Sequence, residues 1–146
     1  MLAATAYAGV YSVTERSDKL AREQASVDAV LGSMPAGATM MSVQAPQVMV
    51  LSDRTNPTRL QMLPPSIRHY VDRTYPGGVS GFAAWVAQAA KPTILAVHGR
   101  DAWLTPVLAG RYKRVGSGLG WGWYMARTAG AEAISEVIEA LHGPPS

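Results

Sequence analysis

At 146 residues, with 48% apolar and 16% charged residues, the chain is long enough to bury roughly two thirds of its unfolded surface around one core and too apolar to be disordered. It has no cysteine, which excludes disulfides, thiolate metal ligands and a thiol nucleophile. The net charge of +3 is unevenly spread: residues 54–127 carry ten basic side chains against Asp72 and Asp101, between acidic ends whose tail adds Glu132, Glu136 and Glu139. A basic middle concentrates anions near it, whether lipid headgroups, phosphate or a polyanion, and is equally compatible with a plain solvated face.

The first thirteen residues, MLAATAYAGVYSV, are uncharged. They are too few to span a bilayer, which needs about 20 apolar residues, and they lack the basic leading segment of a secretory signal. Two readings stay open: an ordinary element packed on the core, or the end of a membrane helix with Tyr7 and Tyr11 at interfacial depth. Residues 14–146 read as a single soluble domain. Leu20, Val27, Val30 and Leu31 recur at helical spacing, predicting a helix over 14–31 that the turn around Pro35 and Gly37 ends.

Thr39–Val43 predicts a short buried strand, and APQVMVLS after it fits either a second strand or a short helix opened by Pro46. In DRTNPTRLQMLPPS, Pro57, Pro64 and Pro65 forbid a long regular element, and a brief helix is expected over 66–72. SGFAAWVAQAA predicts a helix over 80–90 capped by Ser80, with Pro92 ending it. TILAVHG then reads as the best strand in the chain, uncharged and β-branched as a strand covered on both faces should be. Asp101 is expected to cap a helix through AWLTPVLAGRY; Tyr112–Val115 and Trp121–Ala126 read as strands joined by GSGLG, and a last helix covers 131–141. Helices alternating with strands predict an α/β domain: a small sheet of about four strands with helices packed on its faces, in Rossmann-like layering.

The motifs are sparse. Gly116, Gly118 and Gly120 have neither the spacing nor the following helix of a dinucleotide fingerprint and read as a hairpin turn. His69, His98 and His142 form no metal-ligand spacing, so no metal and no cofactor is expected. His98 closes the best strand, at the rim where open α/β sheets bind ligands; a strand-end histidine held by a neighbouring loop has the same signature. Trp121 and Trp123 are two apart on a strand and share a face, which makes them a stacking platform if that face is exposed and core if it is not. Arg54, Asn56 and Arg59 sit in the densest polar loop, where the arginines can offer bidentate contacts to phosphate or carboxylate and Asn56 can brace the backbone.

Residues from about Met34 to Arg127, through Ala45-Pro46, Arg54-x-Asn56-Pro57-Thr58-Arg59-x-Gln61 and Trp121-x-Trp123-Tyr124, resemble the C-terminal extracytoplasmic domain of actinobacterial polytopic membrane proteins. Those proteins look like glycosyltransferases of the C superfamily, relatives of the polyprenyl-phosphate-sugar-dependent mannosyltransferases. The resemblance implies a domain outside the cell membrane, attached through a parent membrane protein, with residues 1–13 as the tail of the last span. It carries over no catalytic residue, because the acidic loop residues such transferases place near the membrane have no counterpart in this chain. The implied partners are the membrane part of the same parent and anionic lipid or glycan, with no nucleic acid; Arg54, Asn56, Arg59, His98, Trp121 and Trp123 are the candidate contact residues. The rival expectations are a small free-standing enzyme or ligand-binding domain using the sheet rim near His98, and a nucleic-acid-binding domain suggested by the basic middle alone.

Overall fold

The computed structural model describes residues 2–61, 66–99 and 101–143, with side chains from residue 16 onward. The readings placed on Pro64 and Pro65 and on the side chains of Tyr7 and Tyr11 fall outside what it describes. Four strands form one open sheet: β1 (Met40–Val43), β2 (Ile94–Val97), β3 (Tyr112–Ser117) and β4 (Gly122–Ala126), in the order β1-β2-β4-β3. β1 and β2 run parallel, with Met40 opposite Ile94 and Val43 opposite Val97; β4 runs antiparallel to both β2 and β3. The sheet is therefore mixed, an α/β arrangement in which only one pair needs a crossover.

Every residue of β1 and β2 is buried, because helices cover both faces. On one face Met40, Ile94, Ala96, Trp123 and Met125 pack under α1 (Leu2–Ser33), α2 (Pro46–Leu51) and α6 (Ala131–His142), which contribute Val27 and Val30, Val48 and Met49, and Ile134 and Val137. On the other, Met41, Val43, Leu95 and Val97 pack under α3 (Ile67–Thr74), α4 (Gly78–Trp85) and α5 (Thr105–Arg111), through Val71, Phe82 and Val107. Alternation along each strand thus sends successive side chains to opposite cores, which yields the three layers.

One open alternative is decided and two local expectations are corrected. The segment after β1 is the helix α2, opened by Pro46 in its first turn, rather than a second strand. α4 begins two residues before Ser80: Gly77 turns the chain with φ +76°, and the Val79 N–H donates to the Asp72 carboxylate at 3.2 Å. Gly81 permits this entry, since a Cβ there would stand 2.0 Å from the Pro76 carbonyl oxygen. The Asp101 side chain does not cap α5 either; its backbone carbonyl accepts from the N–H groups of Leu104 and Thr105, leaving the carboxylate for other partners. α4 runs on into one wide turn, Val86–Ala90, closed by a Lys91 N–H donating to the Val86 carbonyl and by Lys91 in the left-handed region at φ +39°.

The strand directions define two rims. β1 and β2 end at the upper rim with Gln44 and His98; β3 starts and β4 finishes at the lower rim, level with the start of β2. α1 descends toward β1 along the first face: the Trp123 indole N–H donates to Ser26 Oγ at 3.0 Å, and Gly32–Pro35 lie beside Ala129–Ala133 at the lower rim. Among the described side chains of α1, Glu23 is the first that is buried, ion-paired with Lys19 at 3.6 Å, whereas Arg16 to Arg22 are exposed on every side of the helix.

Candidate functional site

The polar loop after α2 lies along the open edge of β1. Alternate residues of β1 point their peptide groups at β2, which leaves those of Ala38, Met40 and Ser42 facing outward. Asn56, buried, meets Ser42 with its side-chain amide: Oδ1 accepts from the Ser42 N–H at 2.7 Å and Nδ2 donates to the Ser42 carbonyl at 3.2 Å. Gln61 completes the brace, its Oε1 accepting from the Asn56 N–H at 3.0 Å and its carbonyl from Asn56 Nδ2 at 2.7 Å. Arg54 Nη1 donates to the Ala38 carbonyl at 3.2 Å, two steps further down the edge, past Met40. Asn56 is therefore buried and spent on the edge, with both N–H groups of its amide donating to carbonyls, while Arg54 and Arg59 remain exposed. Arg59 flanks a cleft of about 590 Å³ walled by Leu60, Tyr70, Tyr75 and Trp85.

Trp121 and Trp123 share a face, and that face is the core. Trp123 is fully buried and Trp121 nearly so, their rings edge to face with centroids 6.0 Å apart. No stacking platform is exposed there, so the two indoles are corrected from contact residues to packing residues. Trp121 Nε1 has no partner among the described residues, held beneath the turn at Gly118, where a Cβ would stand 2.4 Å from the indole.

At the upper rim His98 is exposed, with ring Nδ1 against the Gly120 carbonyl. Beside it the Asp101 carboxylate accepts from the Gln44 amide and, at 3.1 Å, from the Trp103 indole N–H. Gln44 and Gly99 both hold left-handed backbone, at φ +60° and +75°, which turns the two strand ends outward. The polar groups at this rim are engaged with each other, an arrangement that fixes the loop after β2. The six candidates thus separate into an edge brace (Arg54, Asn56), a cleft wall (Arg59), a rim contact (His98) and a core pair (Trp121, Trp123); the fold brings no four of them together.

What the fold does gather is a set of cations from three separate elements. A groove of about 870 Å³ runs between α4 and α5, which descend side by side from Ser80 and Trp103 to Lys91 and Arg111. Ala83, Ala84, Ala87, Pro106, Val107 and Gly110 wall it, and Tyr112 and Ala126 lie at its floor. Tyr112 pairs with Ala126, so Arg111, the last residue of α5, and Arg127, the residue after β4, flank the last pair of the ladder, and both line the groove. Tyr112 Oη donates to the Pro92 carbonyl at 2.9 Å and the Ala126 N–H to the Thr93 carbonyl at 2.8 Å, which draws the preceding Lys91 to the same corner. All three cations line the groove and no carboxylate does.

Burial pushes the Tyr112 phenol from 10.0 up to about 12, with the Arg111 guanidinium pulling in the opposite direction. Folding therefore favours the protonated phenol, a contribution complete below pH 10 and lost as pH rises through 12. Denaturant midpoints measured across that window should fall steeply in the parent protein, and Tyr112→Phe, which cannot ionise, should flatten that part of the profile.

Sequence reading registers the excess of basic residues in the middle of the chain but not which of them converge, because Lys91, Arg111 and Arg127 are scattered and only strand register brings them together. Compared with protein-family models, with curated proteins and with solved structures, the chain matches none of them.

Proposed function

We propose that this chain is a non-catalytic, extracytoplasmic accessory domain of a membrane-bound cell-envelope glycosyltransferase, held at the membrane surface through α1. The observation that carries the reading is the course of that helix. Among its described side chains, from residue 16 on, it meets the core from Glu23 onward and is exposed from Arg22 back to Arg16, and its backbone continues as helix through the uncharged run of residues 2–13. At 1.5 Å per residue the helix upstream of Glu23 is about 30 Å long. No helix among the described residues is long and apolar enough by itself to cross a membrane, so the run is read as the end of a span that the parent protein completes. The glycosyltransferase assignment rests on the loop and tryptophan resemblance described above.

Two measurements test the proposal. In flotation with neutral and anionic vesicles, the full chain should rise with the lipid and a chain lacking residues 2–13 should stay below, with unchanged circular dichroism; a full chain that stays below with both lipids overturns membrane attachment. In cells, an antiserum against the domain should detect a membrane-fraction polypeptide several times larger than 15.5 kDa that external protease trims in spheroplasts. A soluble 15.5 kDa band overturns the parent-protein reading.

A further inference from the structure

The groove between α4 and α5 is unequal along its length. Its upper part is walled by small or apolar side chains, Ala83, Ala84, Ala87 and Val107, with the Trp103 indole at its head. Its lower end holds Lys91, Arg111 and Arg127, and the sole ion pair among the described side chains, Lys19–Glu23, involves none of them. Three unpaired cations at one corner repel one another and are tolerated because each reaches solvent. A doubly charged anion seated among them removes that repulsion and accepts charge-assisted hydrogen bonds from the ammonium and the two guanidinium groups that line this end of the groove.

We infer that this groove is a binding site for a phosphate monoester, its phosphate held by Lys91, Arg111 and Arg127 and its apolar part lying against Trp103 and the alanine wall. From Ser80 to Lys91 the helical wall is about 16 Å long, room for an aryl or branched apolar group beyond the phosphate. A monocarboxylate has one charge for three cations and two oxygens to share; phosphate has three oxygens and two charges, which matches the corner better. The inference does not rest on membrane attachment: the groove opens on the face opposite α1, with its cations at the rim α1 does not leave from.

The probes are inorganic phosphate, 1-naphthyl phosphate and vesicles containing phosphatidate, titrated onto the full chain by calorimetry and by amide chemical shifts. Naphthyl phosphate should bind with a dissociation constant below about 1 mM, and inorganic phosphate about tenfold or more weaker. Arg111→Gln and Arg127→Gln should each weaken naphthyl phosphate about tenfold or more, as loss of one charge-assisted contact does, whereas Arg54→Gln/Arg59→Gln, the same loss of charge elsewhere, should leave it unchanged. Gly110→Leu separates the two halves of the site: a Cβ at Gly110 meets nothing within 4 Å, so the fold accommodates it while the side chain fills the groove. It should abolish the advantage of naphthyl phosphate over inorganic phosphate and leave the latter's affinity as it was. Saturable binding of the soluble ester identifies a soluble ligand; binding only to phosphatidate vesicles, lost in the same arginine variants, identifies a lipid headgroup. Absence of binding to all three probes overturns the inference, as does binding that Arg54→Gln/Arg59→Gln weakens as much as Arg111→Gln does. Unchanged melting temperatures in the variants keep these outcomes free of unfolding.

Discussion

Trp123→Ala should cost about 3–5 kcal/mol of folding stability, the range for deleting a buried aromatic ring, and should be the most damaging single truncation in the first core. The indole is fully buried on β4, edge to face with Trp121, and beneath α1, where its N–H donates to Ser26 Oγ at 3.0 Å. Its removal opens a cavity between sheet and helix and leaves the Ser26 hydroxyl without that partner. Against a total of about 5–15 kcal/mol for a domain of ordinary stability, that loss brings the protein close to unfolding at room temperature. Urea denaturation followed by near-ultraviolet circular dichroism checks it, with Ser26→Ala as the reference. That variant keeps the ring and should lose about 1–2 kcal/mol, the cost of one unsatisfied buried donor. A Trp123→Ala loss no larger than that of Ser26→Ala would show that the ring does not organise the seam between β4 and α1.

Asn56→Ala should cost about 2–4 kcal/mol, far beyond the typical penalty for a loop substitution. The truncated side chain is small, but it strands the N–H and carbonyl of Ser42 in a site where Ser42 is 2% and Asn56 itself 4% exposed, and it removes a partner from the Gln61 carbonyl. Asn56→Asp is the sharper comparison. A carboxylate can still accept from the Ser42 N–H but turns a lone pair toward the Ser42 carbonyl, so it should destabilise more than alanine above the carboxylate's titration range and less below it. Equal stability of the parent, Asn56→Ala and Asn56→Asp would contradict the bracing role.

The contrast between Asn56 and Arg59 shows where sequence reading reaches. Both stand in one polar loop with the composition of a ligand loop, yet one is spent on the backbone of β1 and the other lies on a cleft wall. Side-chain chemistry is written in the sequence, but the strand whose outward peptide groups consume it is not. β2 was legible because a continuous β-branched run has few other uses, and α6 because its apolar residues keep helical spacing to the end. APQVMVLS was not, since eight residues fit either period; the ambiguity is settled by Pro46 and by α2 covering Met40 and Ala96. The upstream half of α1 lacked a helical signal for a different reason: a helix that leaves its core keeps no apolar stripe to betray its period. The groove was the least legible feature, because Arg111 and Arg127 become neighbours only through antiparallel register.

The two lateral margins of the sheet differ in how they are shielded. Along β1 the loop supplies Arg54 and the amide of Asn56, which occupies Ser42 as the peptide group of another strand would. Along β3, Lys113 and Arg114 face outward and the register slips between Arg114 and Gly116, bending the strand away from flat pairing. Both margins are thus blunted against the addition of a further strand, one by a loop that satisfies the peptide groups of Ser42 and the other by charge and an irregular register, and withdrawal of the Asn56 loop would expose a flat, uncharged border along β1.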